Sequence, residues 1–260
     1  MVTAELLIPV ALATGLWWGL TGLVLWACSL TAWPLRIAML VCTVGCYVGL
    51  TGAAESAHEP SVTGSYLGFV SVLLVWCWLE MTFLLGLVTG PNREACPPHL
   101  SGTARFKLAF GTIAYHELAL LLAGAAILIP SFGAQNHTAA VTFLVMWVMR
   151  LSAKLNLFFG VRNFYEGFLP SPTRHLASYF RRSRLTVTLF VSIWLSAGLA
   201  AIAWMEATAM DTLAYERVGA FLVATLLSLS LLEHLLLVLP IAPERLWLFK
   251  ARLQRPVANA

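Results

Sequence analysis

Apolar residues run along this chain in long blocks separated by short polar connectors. Seven blocks stand out, at 6–29, 35–53, 63–88, 107–130, 139–160, 185–205 and 217–240. An α-helix needs about 20 residues to cross roughly 30 Å of hydrocarbon, so each block has the length of a membrane span. None alternates polar and apolar positions as a barrel strand would. The pattern predicts an all-α polytopic membrane protein, a bundle of about seven transmembrane helices forming a single domain over 1–260. The first block lacks a basic leader and exceeds the apolar core of a signal peptide, so it reads as a permanent helix.

Composition sharpens this picture. Of 260 residues, 60% are hydrophobic and 11% are charged, whereas soluble domains carry about 25% charged residues. The connectors 54–62, 131–138 and 206–216 contain no Lys or Arg. Connector 89–106 has Arg93 and Arg105, connector 161–184 has Arg162, Arg174, Arg181, Arg182 and Arg184, and the tail has Arg245, Lys250, Arg252 and Arg255. By the positive-inside rule this alternation predicts an outside N-terminus and a cytoplasmic C-terminus. The net charge of +4 is then a topology signal. It gives no argument for nucleic acid, because the cations flank helix ends instead of forming one patch.

Local signals add detail. Within the basic connector 161–184, Ser171 followed by Pro172 is a helix start. Leu176, Tyr179 and Phe180 then share a face with Arg174 and Arg181 beside it, which predicts a short interfacial helix on the cytoplasmic membrane surface. The pairs Gly15/Gly19, Gly45/Gly49, Gly64/Gly68 and Gly86/Gly90 have the spacing that lets helix backbones approach. Cys28, Cys42, Cys46 and Cys77 lie inside spans and read as small packing residues, without a disulfide framework.

The candidate chemistry lies in ionisable residues placed in hydrocarbon, where they are costly and usually functional. Glu80 falls in the third block, His116 and Glu117 mid-way through the fourth, Arg150 and Lys154 one turn apart in the fifth with Asn156 nearby, and Glu233 and His234 in the seventh. Allowing for span direction, they fit one buried layer at or just cytoplasmic of the midplane. Two readings stay open: a charge-paired network that fixes helix packing, and a site for a ligand, metal or pigment. A metal could draw on Glu80, His116, Glu117, Glu233 and His234. The familiar spacings are missing, however, since Leu120 replaces the second His of H-E-x-x-H and no Glu-x-x-His occurs. No phosphate loop or serine-hydrolase elbow is present. No Pro lies near a span centre, so the broken helices of secondary transporters are not expected.

Several stretches carry a resemblance: WLEMTFLLG at 78–86 with VTGP at 88–91, YHEL at 115–118, MRLSAKLN at 149–156 running into GVRN at 160–163, and LEH at 232–234 with Leu239 and Pro240. Over roughly 75–247 the chain resembles the PuhE family of photosynthetic-complex assembly proteins of phototrophic bacteria. The resemblance implies a bacterial cytoplasmic or intracytoplasmic membrane. It also implies a role in building the reaction centre and core antenna and in bacteriochlorophyll supply, by holding a bacteriochlorophyll-type pigment or an apoprotein. The partners implied are the lipid bilayer and reaction-centre or core-antenna polypeptides. The alternative is a membrane enzyme acting on a tetrapyrrole or quinone through the carboxylate/histidine layer. Leu79 stands where the family often has His, and Gly167 where a second acid often follows Glu166, which weakens the enzyme reading.

Overall fold

The computed structural model describes residues 2–164, 169–209 and 212–239, with side chains from Leu6 onward. The tail cations, Pro240, Trp247, Glu166 and Gly167 lie outside the described residues. Hydrocarbon offers the backbone no water to bond, so a spanning segment must satisfy its peptide groups internally, and these apolar blocks become helices. In chain order they are α1 Val2–Ala27, α2 Ala32–Ala57, α3 Val62–Leu84, α4 Gly102–Gly111, α5 Ala114–Leu128, α6 Thr138–Phe159, α7 Val187–Thr208 and α8 Ala214–Leu236. All but α4 belong to the seven segments long and apolar enough to cross a membrane. Among the described residues the structure is all-α, as the pattern predicts. The chain is a membrane-embedded helical protein whose outer apolar side chains contact lipid.

Helices α3 and α8 form the interior, while α1 and α2 lie at the periphery. Large apolar residues such as Leu40, Val41, Leu122, Trp194 and Met205 point outward, as a lipid-facing belt requires. Against α2, α3 comes very close: a Cβ on Gly52 would stand 2.4 Å from the Ser71 hydroxyl, and one on Gly49 2.5 Å from the Ser71 carbonyl. The expectation for Gly15 and Gly19 fails. Both face outward with nothing near them, because α1 turns its Ala13 and Trp17 side to the bundle instead.

Among the described residues, three of the apolar seams between the helices run along α6. One joins Phe69 and Leu73 of α3 to Leu222 and Leu226 of α8, with Ala13 of α1 and Met146 of α6. A second joins Val72, Val75 and Leu79 of α3 to Leu120 of α5 and Phe143 of α6. The third joins Met149 of α6 to Ala200 and Ala203 of α7 and Ala224 and Leu227 of α8.

The fourth block departs from expectation. Instead of one helix over 107–130, the chain makes α4, breaks at Thr112–Ile113 and restarts as α5. The break has no proline; the loop after α3 makes it. Asn92 donates from its backbone N–H to the Gly111 carbonyl (3.1 Å) and from its side chain to the Leu108 carbonyl (3.0 Å), taking acceptors at the end of α4. The first turn of α5 then finds an outside acceptor, as the His116 N–H donates to the Thr89 carbonyl (2.9 Å). The loop fits only because residue 90 has no side chain: a Cβ there would sit 2.1 Å from the Gly111 carbonyl oxygen. The fourth span is therefore Ala114–Ser131, and His116 and Glu117 stand in its first turn, not at its middle.

The connector after α6 also differs from expectation. A helix does start at Ser171–Pro172, but it is a 3-10 helix over Ser171–Tyr179, and its apolar face is turned to protein. Leu176 packs with Val24, Leu25, Met81 and Phe83, and Tyr179 is buried. The neighbouring α4 behaves the other way. Its Arg105 is buried and donates to the carbonyls of Phe158 and Tyr179, while Phe106 and Phe110 are 45% and 49% exposed. The inward attachment of α4 through a polar guanidinium leaves its phenylalanines facing out.

The glycine contacts lead to a paired expectation. Gly90→Val should lower the thermal stability of the detergent-solubilised protein by about 1–3 kcal/mol, the usual cost of overpacking. Gly15→Ala should change it by less than about 0.5 kcal/mol, as open surface sites do. Equal effects in thermal unfolding would remove the role given to the 86–92 loop.

Candidate functional site

The polar residues gather at the end of the bundle where α3, α6 and α8 finish and α5 begins. Glu80 is four residues from the end of α3, Glu117 lies in the first turn of α5, Lys154 is five from the end of α6, and Glu233 and His234 are within three of the end of α8. This is shallower than a midplane layer, chiefly because the break before α5 shifts His116 and Glu117 outward.

Helix α6 organises the site. Successive residues rotate by about 100°, so α6 presents three faces, one to each seam. Met146 and Arg150 share the first, Phe143, Trp147 and Lys154 the second, which adjoins the first about 40° round the helix, and Met149, Ser152 and Asn156 the third. Each seam is apolar toward one membrane surface and ends in polar groups toward the other.

On the first face, Arg150 donates to the Glu80 carboxylate at 2.8 Å. Glu233 continues the α8 face of Leu222 and Leu226 toward this pair, where it feels the charges of both Arg150 and Glu80 and accepts a hydrogen bond from the Trp17 indole. It stays accessible, contrary to the expectation of a fully buried layer. The α8 helix ends three residues later, so the carboxylate can reach the polar border.

On the second face, Lys154 donates to Glu117 at 2.6 Å, with both side chains mostly buried. Its ammonium also lies 5.6 Å from the centre of the Phe83 ring, within range of a cation–π contact. The same ring stacks on the His116 imidazole at 4.4 Å. His116 is fully buried, and neither ring nitrogen has a hydrogen-bond partner. Buried polar groups are nearly always bonded, so this ring is the unusual feature of the site. Glu117 gains in addition from the positive end of the α5 dipole.

On the third face the polar groups form a neutral chain. Asn156 donates to Ser192 (2.9 Å), Ser152 lies 2.9 Å from His234 Nε2, and His234 Nδ1 lies 2.8 Å from the Ser230 carbonyl. The carbonyl can only accept, so Nδ1 carries the proton, while the Ser152 hydroxyl donates to Ser192 (2.9 Å). Asn156 and His234 thus stand apart from the charged pairs. The single layer divides in two because residues 150 and 152 point about 200° apart on α6.

The candidate metal set is not assembled. Among the described residues no three His, Cys, Asp or Glu side chains converge as ligands. Glu80 and Glu117 are instead directed at Arg150 and Lys154, and His234 belongs to the other seam. The sequence reading missed Ser152, Ser192, Ser230 and Phe83. Ser152 alone carries a signal, four residues before Asn156 on the same face.

The Lys154–Glu117 contact is a close, mostly buried pair, so removing one member strands the other. Glu117→Ala should cost about 3–5 kcal/mol, Glu117→Gln less, and Glu117→Ala combined with Lys154→Met should recover much of the loss. Strict additivity in a double-mutant cycle read by thermal unfolding would reject the pairing.

Comparison with known proteins gives this chain a relative and a family. A protein of Rhodobacter capsulatus named "Uncharacterized 30.4 kDa protein in puhA 5'region" is 39% identical over 235 residues, covering 89% of this chain and 85% of that protein. No solved structure matches the chain. The pattern of a family described as "Protein of unknown function (DUF3623)" matches residues 3–257, which include all seven spanning segments and every polar residue of the site. The chain belongs to that family.

Proposed function

We propose that this protein supports assembly of the photosynthetic reaction centre and core antenna, together with bacteriochlorophyll supply, in the inner membrane of a phototrophic bacterium. The observation that carries this reading is the 39% identical relative encoded in the puhA region of Rhodobacter capsulatus. That context supports a photosynthesis-related role, and the PuhE-like motifs give it a more particular form. Those motifs fall on the site and its supports: WLEMTFLLG holds Glu80 and Phe83, VTGP is the loop that breaks the fourth span, YHEL holds His116 and Glu117, and MRLSAKLN is the hub of α6. The partners in this reading are reaction-centre or core-antenna polypeptides. The spent carboxylates favour a protein that holds a pigment or an apoprotein helix over a metal enzyme.

A second reading, a membrane enzyme acting on a tetrapyrrole or quinone, is favoured by His116. Its imidazole is buried, unpartnered and beside an ammonium–carboxylate pair, an arrangement suited to binding or proton transfer. The two readings differ in how variants behave.

Deletion of the gene should lower bacteriochlorophyll absorbance and core-complex abundance in phototrophically grown cells, and the intact gene should restore both. Under the holding role, loss of pigment in Glu80, Glu117 and Lys154 variants should follow loss of the protein itself. Under the enzyme role, His116→Ala should abolish restoration while the protein accumulates normally. Unchanged spectra and complex levels in the deletion strain would end the proposal.

The orientation is part of the same proposal. The connectors following α1, α3, α6 and α8 share one side, and that side carries the arginine-rich segments. A C-terminal reporter active only in the cytoplasm should therefore be active, and the same reporter placed at Glu59 silent. The opposite pattern would reverse the assignment.

A further inference from the structure

Among the cations outside the spans, Arg105 stands out. It is 4% exposed, bonds to the carbonyls of Phe158 and Tyr179 and to the Cys96 side chain, and lies 4.2 Å from the centre of the Phe158 ring. Among the described residues carboxylates pair with Arg150 and Lys154, and none pairs with Arg105. Its strongest electrostatic neighbour is another cation, Arg181, which outweighs the opposing effect of Cys96 and Tyr179. Burial and that neighbour together hold the guanidinium below its ordinary pKa. A buried cation beside a second cation is expensive unless an anion is close by.

The surroundings say which kind of anion. Arg181 is exposed, and its backbone is fixed by hydrogen bonds with Leu157 and Val161 at the end of α6. Arg162, also exposed, follows Val161, and Lys107 is exposed on α4. Between these cations lies an apolar surface. Phe106 stacks edge-on against Phe158 at 5.6 Å, Phe158 against Phe159 at 5.3 Å, and Phe106, Phe110 and Phe159 are each about half exposed. On α5, the helix that follows, Tyr115, Leu118 and Leu122 also point outward. The connectors on this side hold one acid, Glu94, among their described residues.

We propose that the outward face of α4 and the end of α6 form a binding site for anionic phospholipid, with headgroup phosphate beside Arg181, Arg162 and Lys107 and acyl chain on Phe106, Phe110 and Phe159. An acidic peptide would match the charges but would leave the phenylalanines bare. A phospholipid matches both, with charge for its headgroup and an exposed aromatic surface for its acyl chain. Arg105 contributes its field from behind and ties α4 to the carbonyls that position it.

The test uses the full-length protein in nanodiscs of phosphatidylcholine alone or of phosphatidylcholine with phosphatidylglycerol. Native mass spectrometry counts retained lipid, and thermal unfolding reports its effect. Phosphatidylglycerol should be retained and should raise the unfolding temperature. Lys107→Gln, Arg162→Gln and Arg181→Gln combined should weaken its retention at least about tenfold, since each basic residue near an anionic surface contributes measurably. Stability in phosphatidylcholine should stay unchanged. Lys at positions 162 and 181 should keep most of the retention, and Phe106→Ser with Phe110→Ser should reduce it. Equal retention by parent and triple variant would overturn the site. So would indifference to phosphatidylglycerol with tight binding of soluble polyglutamate, which would assign the surface to an acidic protein segment.

Discussion

Helix α6 carries a guanidinium and an ammonium, one turn apart, into a bundle that is apolar over most of its length, and the arrangement of its neighbours follows from that cost. A charged residue at the centre of a spanning helix costs about 2.5–3.5 kcal/mol on insertion scales. Two measures lower it here. Arg150 and Lys154 each meet a carboxylate from a different helix, Glu80 of α3 and Glu117 of α5. All four groups also lie toward one end of the bundle, where long side chains can approach polar surroundings. The pairs thereby fix the rotation of α3, α5 and α6 about their axes, since a turn of 100° in any one would leave a charge facing hydrocarbon.

The broken fourth span is part of this design. A continuous helix from 107 to 130 would carry Glu117 deeper and away from Lys154. Stopping α4 at Gly111 and restarting at Ala114 places Glu117 in a first turn, where it meets both the ammonium and the helix dipole. The 86–92 loop makes the break by supplying Asn92 and the Thr89 carbonyl, and Gly90 allows it to come close enough. The loop that follows Glu80 in sequence therefore sets the position of Glu117, so one segment controls both acidic partners of α6.

This gives the proposed role a physical form. Three dry seams keep the helices together toward one membrane surface, and toward the other the same seams end in charges, a hydrogen-bonded chain and a buried imidazole. A bundle built this way is rigid along most of its length and chemically distinctive at one end. That end faces the connectors that pack into a cap of α4, the 86–101 loop and the 171–179 helix.

Much of this was legible in the sequence. Block lengths determined seven spans, because hydrocarbon thickness sets helix length without reference to neighbours. The identity of the costly residues was legible too, since an ionisable group in an apolar block is conspicuous wherever its partner lies. The spacing of Arg150 and Lys154 placed them together, helical geometry being local. Tertiary structure alone decided the rest. The break before α5 is made by hydrogen bonds from a loop some twenty residues earlier, so the apolar count of the block carries no trace of it. Leu176 and Tyr179 have the pattern of a lipid-facing strip, yet they pack on protein, because an apolar face does not specify which apolar surface covers it. The rotation of α6 turns Asn156 away from Lys154, but its grouping with His234 was decided only once α7 and α8 were in place. A helix carries its own rotation in its sequence, but which neighbour stands on each side is a property of the assembled bundle.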